Sequence, residues 1–381
     1  MSENEQTTVV VIGAGVAGLA LGNFLLRRGI DCVIVEKHSR EHLAQRQRAG
    51  ALDSRGVRLF REWGLEEVVV GPTTDSTDRE GMPLLIEGEK RSWKPAQYDD
   101  EGGQSVFCPQ QVLVRNLTET FLRDGGDLRF EAGDVSLEDL DGEHPRVRYR
   151  DADGAARVID CAFVAGCDGY HGVSRASIPA DVLTCHSHDF GYAWLAVLAE
   201  VPADPLAVMA VHSRGFAAQI TRGPNASRFY LQCPLTDTLD QWPDERVWRE
   251  LGARFGAPVA ATGRITDRQL VPLRCVVYSP MRYGGLHLLG DAAHLVSPMS
   301  AKGMSLALND ADVFARAVIQ QVEKNDPSLL DSYSETCLRH VWNTQVYAVE
   351  MTDAMHDAGD SSRTGEFRRQ LALARLARMI E

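Results

Sequence analysis

The sequence predicts an α/β protein: a nucleotide-binding domain on a parallel sheet, a second domain on an antiparallel sheet, and C-terminal helices. Three observations carry this. The chain opens with an apolar strand, a glycine-rich turn and a helix, TTVVVIGAGVAGLALG, residues 7–22. A second apolar strand ending in Gly-Asp comes far downstream, in LHLLGDAAHLVSPMSAKGMSLALNDA, residues 286–311. Between them, residues 185–235 turn to successive strand-like runs.

Bulk composition narrows the classes. A chain of 381 residues has room for one large or two medium domains with a real core. Its 44% hydrophobic and 24% charged residues are ordinary globular values. Net charge is −13 and no Lys/Arg run occurs, which argues against a nucleic-acid partner. No 18-residue apolar run exists, so no membrane span is expected. The start, MSENEQTT, lacks the cationic segment of a secretory signal. The eight cysteines form no CxxC pair, and several (Cys32, Cys161, Cys233, Cys275) sit in apolar runs. Buried thiols in a reducing, cytoplasmic setting are expected, with no metal site.

The elements follow in order. Residues 7–12 are β-branched and apolar, hence a buried strand. The turn Gly13–Gly18 leads into a helix ending at Gly29, and DCVIVEK gives a second strand ending at Glu36. Helical patterns recur at 53–62 and 110–123; residues 71–105 read as loops with one short hairpin. Short strands fill 128–166. YAWLAVLAE, LAVMAVHS, GFAAQITR and SRFYLQCPL make an antiparallel sheet, and DERVWRELGARFG a helix. Residues 286–290 form a strand; 302–323, 327–356 and 365–380 are helical.

The glycine spacing has a physical use. Gly13 permits a tight turn, Gly15 lets backbone approach a pyrophosphate, and Gly18 lets helix and strand pack closely. The helix N-terminus offers N–H groups to phosphates. Glu36 can accept hydrogen bonds from a ribose. The turn alone leaves FAD and NAD(P) open. In the 286–311 segment, Asp291 suits a ribitol hydroxyl, or serves as a plain turn or cap. A helix starting near 301–304 would point positive potential at a flavin ring.

These segments, with AGCDGYHGVSR at 165–175, resemble the FAD-dependent single-component aromatic hydroxylases, the group A flavoprotein monooxygenases. The similarity runs from Val9 to about Met355 and is strongest to the members acting on 4-hydroxybenzoate. It includes GVRLFREWGL, HSRGFAAQITRGPNASRFYLQCPL and VPLRCVVYSPM. The resemblance implies a Rossmann-like FAD-binding domain over 1–180, with 271–325 returning to it. It implies a substrate-binding sheet domain over 181–270 and a helical region over 326–381. FAD would be non-covalent, with NADPH or NADH as co-substrate. O2 would form a flavin C4a-hydroperoxide that oxygenates a small aromatic acid. Family members are commonly homodimers, and the sequence marks no interface.

The resemblance also implies residue roles. FAD contacts fall on Gly13, Gly15, Gly18, Glu36, Lys37, Arg46, Arg48, Gln110, Asp168, Gly169, Arg228, Asp291, Lys302, Gly303, Met304 and Ser305. NAD(P)H handling falls on Arg48, His171 and Arg274. Lys37, His38, Arg40 and His42 suggest, by charge, a nucleotide 2′-phosphate. Arg222 takes the place of the arginine that clamps the substrate carboxylate, and its planar fork suits one. Tyr230 matches a second carboxylate contact; Pro298 presents a carbonyl to the ring substituent, and Met299 adds bulk over the ring.

Among the positions that depart from the pattern, two bear most on the substrate. Ile220 replaces a carboxylate-binding serine. Met209 replaces the first tyrosine of the phenol-deprotonating pair, and a methionine passes no proton. The expected substrate is therefore an amino- or hydroxy-substituted benzoate, for example 3-amino-4-hydroxybenzoate. Two alternatives stand beside it: 3-hydroxylation of 4-hydroxybenzoate, and an FAD oxidoreductase that inserts no oxygen.

Overall fold

The computed structural model describes residues 5–45, 50–75, 82–93, 104–202, 207–256, 263–359 and 365–380. The chain forms two compact units. One gathers Met1–Ser76, Glu101–Ser187 and Cys275–Gln345; the other Thr77–Asp100, His188–Arg274 and Val346–Glu381. This division differs from the expected one at two places. The 77–100 segment belongs to the second unit, and the C-terminal helical region is shared between the two.

The first unit is built on a parallel sheet. Its strands run Leu286–Leu288, Ala156–Gly166, Glu5–Ile12, Cys32–Val35, Asp127–Arg129, with Arg282–Tyr283 antiparallel at one edge. Val10 pairs with Val164 on one side and Val33 on the other. Such strands are covered on both faces, which is why TTVVVI carries no polar alternation. The Val16–Leu26 helix is buried along almost its whole length and packs on the Gly303–Lys324 and Gln110–Arg123 helices. Its one polar core residue, Asn23, donates to Leu19 O (2.8 Å) and to Leu117 O (3.1 Å), tying it to the 110–123 helix.

The second unit holds a sheet ordered Ile265–Ser279, Thr184–Ala199, Ala226–Pro234, Ala217–Gly223, Ala207–Val211, Met82–Ile86, Glu89–Trp93. The four expected runs pair antiparallel, and the sheet is mixed because Met82–Ile86, from the stretch read as loops with one short hairpin, lies parallel to Ala207–Val211. A parallel neighbour needs a long crossover, and here that connection includes the chain's middle passage through the first unit, Glu101–Ser187. One face of this sheet, with Leu195, Val197, Ala217, Phe229 and Leu231, forms a core with Val247 and Leu251 of the Asp244–Phe255 helix. The Glu366–Ile380 helix packs on Glu89–Trp93.

All eight cysteines are free thiols, and Cys185 alone is exposed. Among the described residues no helix is long and apolar enough to cross a membrane.

Replacing Asn23 by Leu removes two buried hydrogen bonds. We expect a loss of about 1–3 kcal/mol in the first unit's unfolding transition, read as a lower urea midpoint with unchanged slope.

Candidate active site

The glycine turn has the shape that close approach demands. Gly13 has φ +100°, and a Cβ there would lie 2.7 Å from Cys167 O. A Cβ on Gly18 would lie 2.0 Å from Gly13 O. Gly15 differs: nothing in the protein lies within 4 Å of where its Cβ would be. It caps the Val16–Leu26 helix with no side chain over it. The space at Gly15 therefore suits a group from outside the chain, as a dinucleotide phosphate would be. Glu36, 6% exposed, braces this turn: Oε2 accepts from Ala14 N–H (2.8 Å) and Oε1 from His38 N–H (2.9 Å).

The Asp168–Gly169 segment lies at the C-terminal end of the neighbouring strand. Asp168 Oδ2 accepts from Ser174 N–H and Oγ–H, both at 2.9 Å. Its Oδ1 is buried with no partner among the described residues. Burial pushes this carboxyl above its ordinary range despite the Ser174 bonds. Arg175 joins this segment to the Gly290–Ala292 turn. It donates to Tyr170 O and to Ala292 O (2.9 Å), and lies between the Tyr170 and Tyr278 rings, 4.9 and 4.3 Å from their centroids.

The Gly290–Ala292 turn carries half-buried Asp291 and is pinned from beneath. Asp310, fully buried, takes Gly290 N–H (2.9 Å) and His294 Nε2–H (2.7 Å) on one oxygen, Oδ2. Burial depresses the His294 imidazole, but the Asp310 charge and hydrogen bond, with Asp291 nearby, outweigh it and hold the group above its ordinary value. The sequence reading assigned no role to Arg175, His294 or Asp310. The available signal was polar residues set among small and apolar ones in GDAAH and LALND.

Further along, Pro298 is exposed, Met299 and Ser305 are buried, and Met304 is half-buried. Lys302 precedes the Gly303–Lys324 helix and pairs with Asp53 at 2.7 Å. Burial pushes Asp53 up, but Lys302 and the Gly56 N–H hold it below the ordinary carboxylate value. Gln110 starts its helix and is half-buried; Lys37 and His171 are exposed. Arg46 and Arg48 lie outside the described residues.

In the second unit, sheet register gathers the other candidates. Met209 is opposite Ala218, which is opposite Tyr230. Ile220 is opposite Arg228. Directly paired residues, and residues two apart on one strand, share a face. Met209, Ile220, Arg228 and Tyr230 thus share the face turned away from the Asp244–Phe255 helix, with Thr221 on the other. Arg228 is 5% exposed and pairs with Asp267 at 3.1 Å. Half-buried Arg222 donates to Thr221 O (2.9 Å) and to the Tyr230 hydroxyl (3.4 Å). No carboxylate pairs with it among the described residues. Burial and then Arg228 push its guanidinium down; Tyr230 opposes them. Behind Tyr230 the Trp194 ring lies 4.6 Å away, and Trp194 Nε1–H donates to His356 Nε2 (2.7 Å). Arg274 is half-buried on the Ile265–Ser279 strand.

A family model described as an FAD binding domain matches residues 6–347. The chain is 36% identical over 356 residues to p-hydroxybenzoate hydroxylase of Acinetobacter baylyi, covering 92% of this chain and 86% of that one. The chain belongs to the group A flavin-dependent aromatic monooxygenases. FAD is its non-covalent cofactor and NAD(P)H its co-substrate. A more distant relative is a probable NADH-specific resorcinol 4-hydroxylase of Rhodococcus jostii, 24% identical over 90% of this chain and 64% of that one. Among solved structures, p-nitrophenol 4-monooxygenase from Pseudomonas putida DLL-E4 shares the fold, with TM-score 0.80 and 19% identity over 98% and 94% of the two chains. So does aklavinone-11 hydroxylase, with TM-score 0.79 and 19% identity over 96% of this chain and 72% of that one.

The His294–Asp310 pair makes stability pH-dependent. A histidine raised in the folded state stabilises most below its unfolded pKa, and that contribution is lost as pH rises through the folded value. The melting temperature of the FAD-loaded monooxygenase should fall as pH rises past neutral. Asp310→Asn should melt lower at pH 6 and show a flatter dependence, measured by thermal unfolding between pH 5.5 and 9.

Proposed function

We propose that this monooxygenase hydroxylates a small benzoate whose carboxylate is held by Arg222 and Tyr230, 4-hydroxybenzoate being the first substrate to test. One observation carries the reading. Arg222 is a desolvated cation without a carboxylate partner among the described residues, and it donates to the Tyr230 hydroxyl. A benzoate supplies the missing anion with bidentate geometry. Arg228 next to it is already neutralised by Asp267. The 36% relative named for p-hydroxybenzoate supports the same choice.

The work divides among parts. Bound FAD, reduced by NAD(P)H, supplies the oxygen chemistry: one atom of O2 enters the ring and the other leaves as water. The protein orients, encloses and holds charge. The Gly13–Gly18 turn would hold the pyrophosphate, and Glu36 the adenosine ribose. Asp168, Gly169 and the Asp291 turn would hold the ribitol side. Gln110, Lys37, Arg46, Lys302, Gly303, Met304 and Ser305 would line the rest. Arg48, His171 and Arg274 would meet the reduced nucleotide. Pro298 and Met299 would face the substrate ring.

An amino-substituted benzoate is the second reading, and Met209 favours it. It stands buried (8% exposed) in the Tyr230 row, where the family's proton-accepting tyrosine is expected. An amine is electron-rich without losing a proton, so it needs no such group.

Arg222→Ala should raise KM for the carboxylated substrate roughly 10–100-fold, the worth of a charge-assisted hydrogen bond or two, in a steady-state NAD(P)H oxidation assay with product quantified by mass. An unchanged KM would remove the clamp from the mechanism. Met209→Tyr should raise coupled turnover of 4-hydroxybenzoate and move its pH–rate profile. If an aminobenzoate is the substrate, its own turnover should not gain.

A further inference from the structure

The second unit contains a cleft of about 330 Å³ that does not include Arg222 or Tyr230. Its charged walls come largely from one helix: Arg246, Glu250 and Arg254 recur every four residues on the Asp244–Phe255 helix and so share a face. Arg214 faces them from before the Ala217–Gly223 strand. The Glu250 carboxylate is already shared. Arg214 Nε donates to Oε2 at 3.2 Å, Arg214 Nη2 donates to Oε1, and Arg254 Nη2 is 3.5 Å from Oε2.

That leaves an excess of positive charge. Three arginines stand against two carboxylates, Glu250 and Asp237, the latter 4.0 Å from Arg246 Nη2, in a chain whose net charge is −13. Arg254 is 4% exposed; Nη1 donates to Phe216 O and Gln232 O, both at 2.9 Å, while buried Nε has no partner among the described residues. Burial drives this guanidinium down to about 10, against the opposing pull of Glu250. A buried cation with an uncommitted donor is stabilised by an anion. Arg246 lies 4.0 Å over the Trp242 ring, with Nη1 on Gln241 O and Nη2 4.0 Å from Asp237 Oδ2, and its five-donor fork retains further N–H groups. Trp242, Tyr192 and Pro234 add apolar wall. The volume accommodates a single six-membered ring with its carboxylate.

We propose that this cleft is a second anion site, separate from the Arg222 clamp, that takes the oxyanion of a small ligand: the carboxylate of an aromatic acid or a free phosphate. Arg246 and Arg214 provide the charge at its mouth, and Arg254 the charge at its base. The apolar walls favour the aromatic acid. The inference does not rest on the substrate reading, because it concerns binding at other residues.

The test is calorimetric titration of the FAD-loaded Arg222→Ala chain with benzoate, and separately with inorganic phosphate, in a buffer free of other oxyanions. We expect one benzoate per chain. Adding Arg246→Ala should weaken it at least tenfold, and Arg246→Lys should recover part of the loss. Thermal unfolding of each variant confirms that it is folded, and Arg222→Gln substitutes if Arg222→Ala is not. Phosphate binding with the same dependence on Arg246, and no benzoate binding, assigns the site to inorganic phosphate. Binding of neither ligand, or binding unaffected by Arg246→Ala, overturns the proposal. Two benzoates on the Arg222→Ala chain, one of them lost with Arg246, would sink the clamp instead and leave this site standing.

Discussion

The first unit depends on one close approach, that of the Val16–Leu26 helix to the strand before it. At Gly18 the helix backbone comes so near Gly13 O that a methyl would sit 2.0 Å from it. At Gly22 a Cβ would lie 2.6 Å from Ile34 Cδ1. Small residues at both positions let the helix lie flat on the sheet, bury ten consecutive residues, and aim its N-terminus past Gly15. Larger residues would push the helix outward and shift its N-terminus at Gly15.

Buried polar groups do the second kind of work, fixing turns that glycine makes mobile. Gly290 has φ +59°, a conformation with little intrinsic stiffness. Asp310 removes that freedom by taking the Gly290 N–H and the His294 ring together. Arg175 does the same between the Tyr170 segment and Ala292. Each network holds a loop through buried or half-buried bonds within the chain. That arrangement suits an enzyme whose cofactor carries the reaction and whose protein contributes position.

Much of this was legible in the sequence. The parallel strands announced themselves through unbroken Val and Ile, and the glycine turn through its place between strand and helix. The face shared by Met209, Ile220, Arg228 and Tyr230 follows from period-two alternation once the strands are named. What stayed hidden was non-local. The Met82–Ile86 strand lies beside Ala207–Val211, more than a hundred residues away, and nothing in its own composition names that neighbour. The parallel pairing therefore escaped a reading based on hairpins. The His294–Asp310 contact joins a short strand to a helix across sixteen residues, and only the folded geometry makes them partners. The charged cleft needs the turn at Arg214 and a helix two strands of sequence later.

The second unit is assembled from three separated stretches of chain, and this orders its birth. The hairpin Met82–Trp93 has no sheet to join until residues 188–274 exist, and its Glu89–Trp93 strand waits for the Glu366–Ile380 helix that packs on it. During synthesis that early hairpin is an open edge, in the company of a nascent chain that is still growing. Its outer strand reads EKRSW, three charges in a row, and those charges discourage pairing with a stranger during the wait. The same residues that look idle on the finished surface thus serve the chain while it is incomplete.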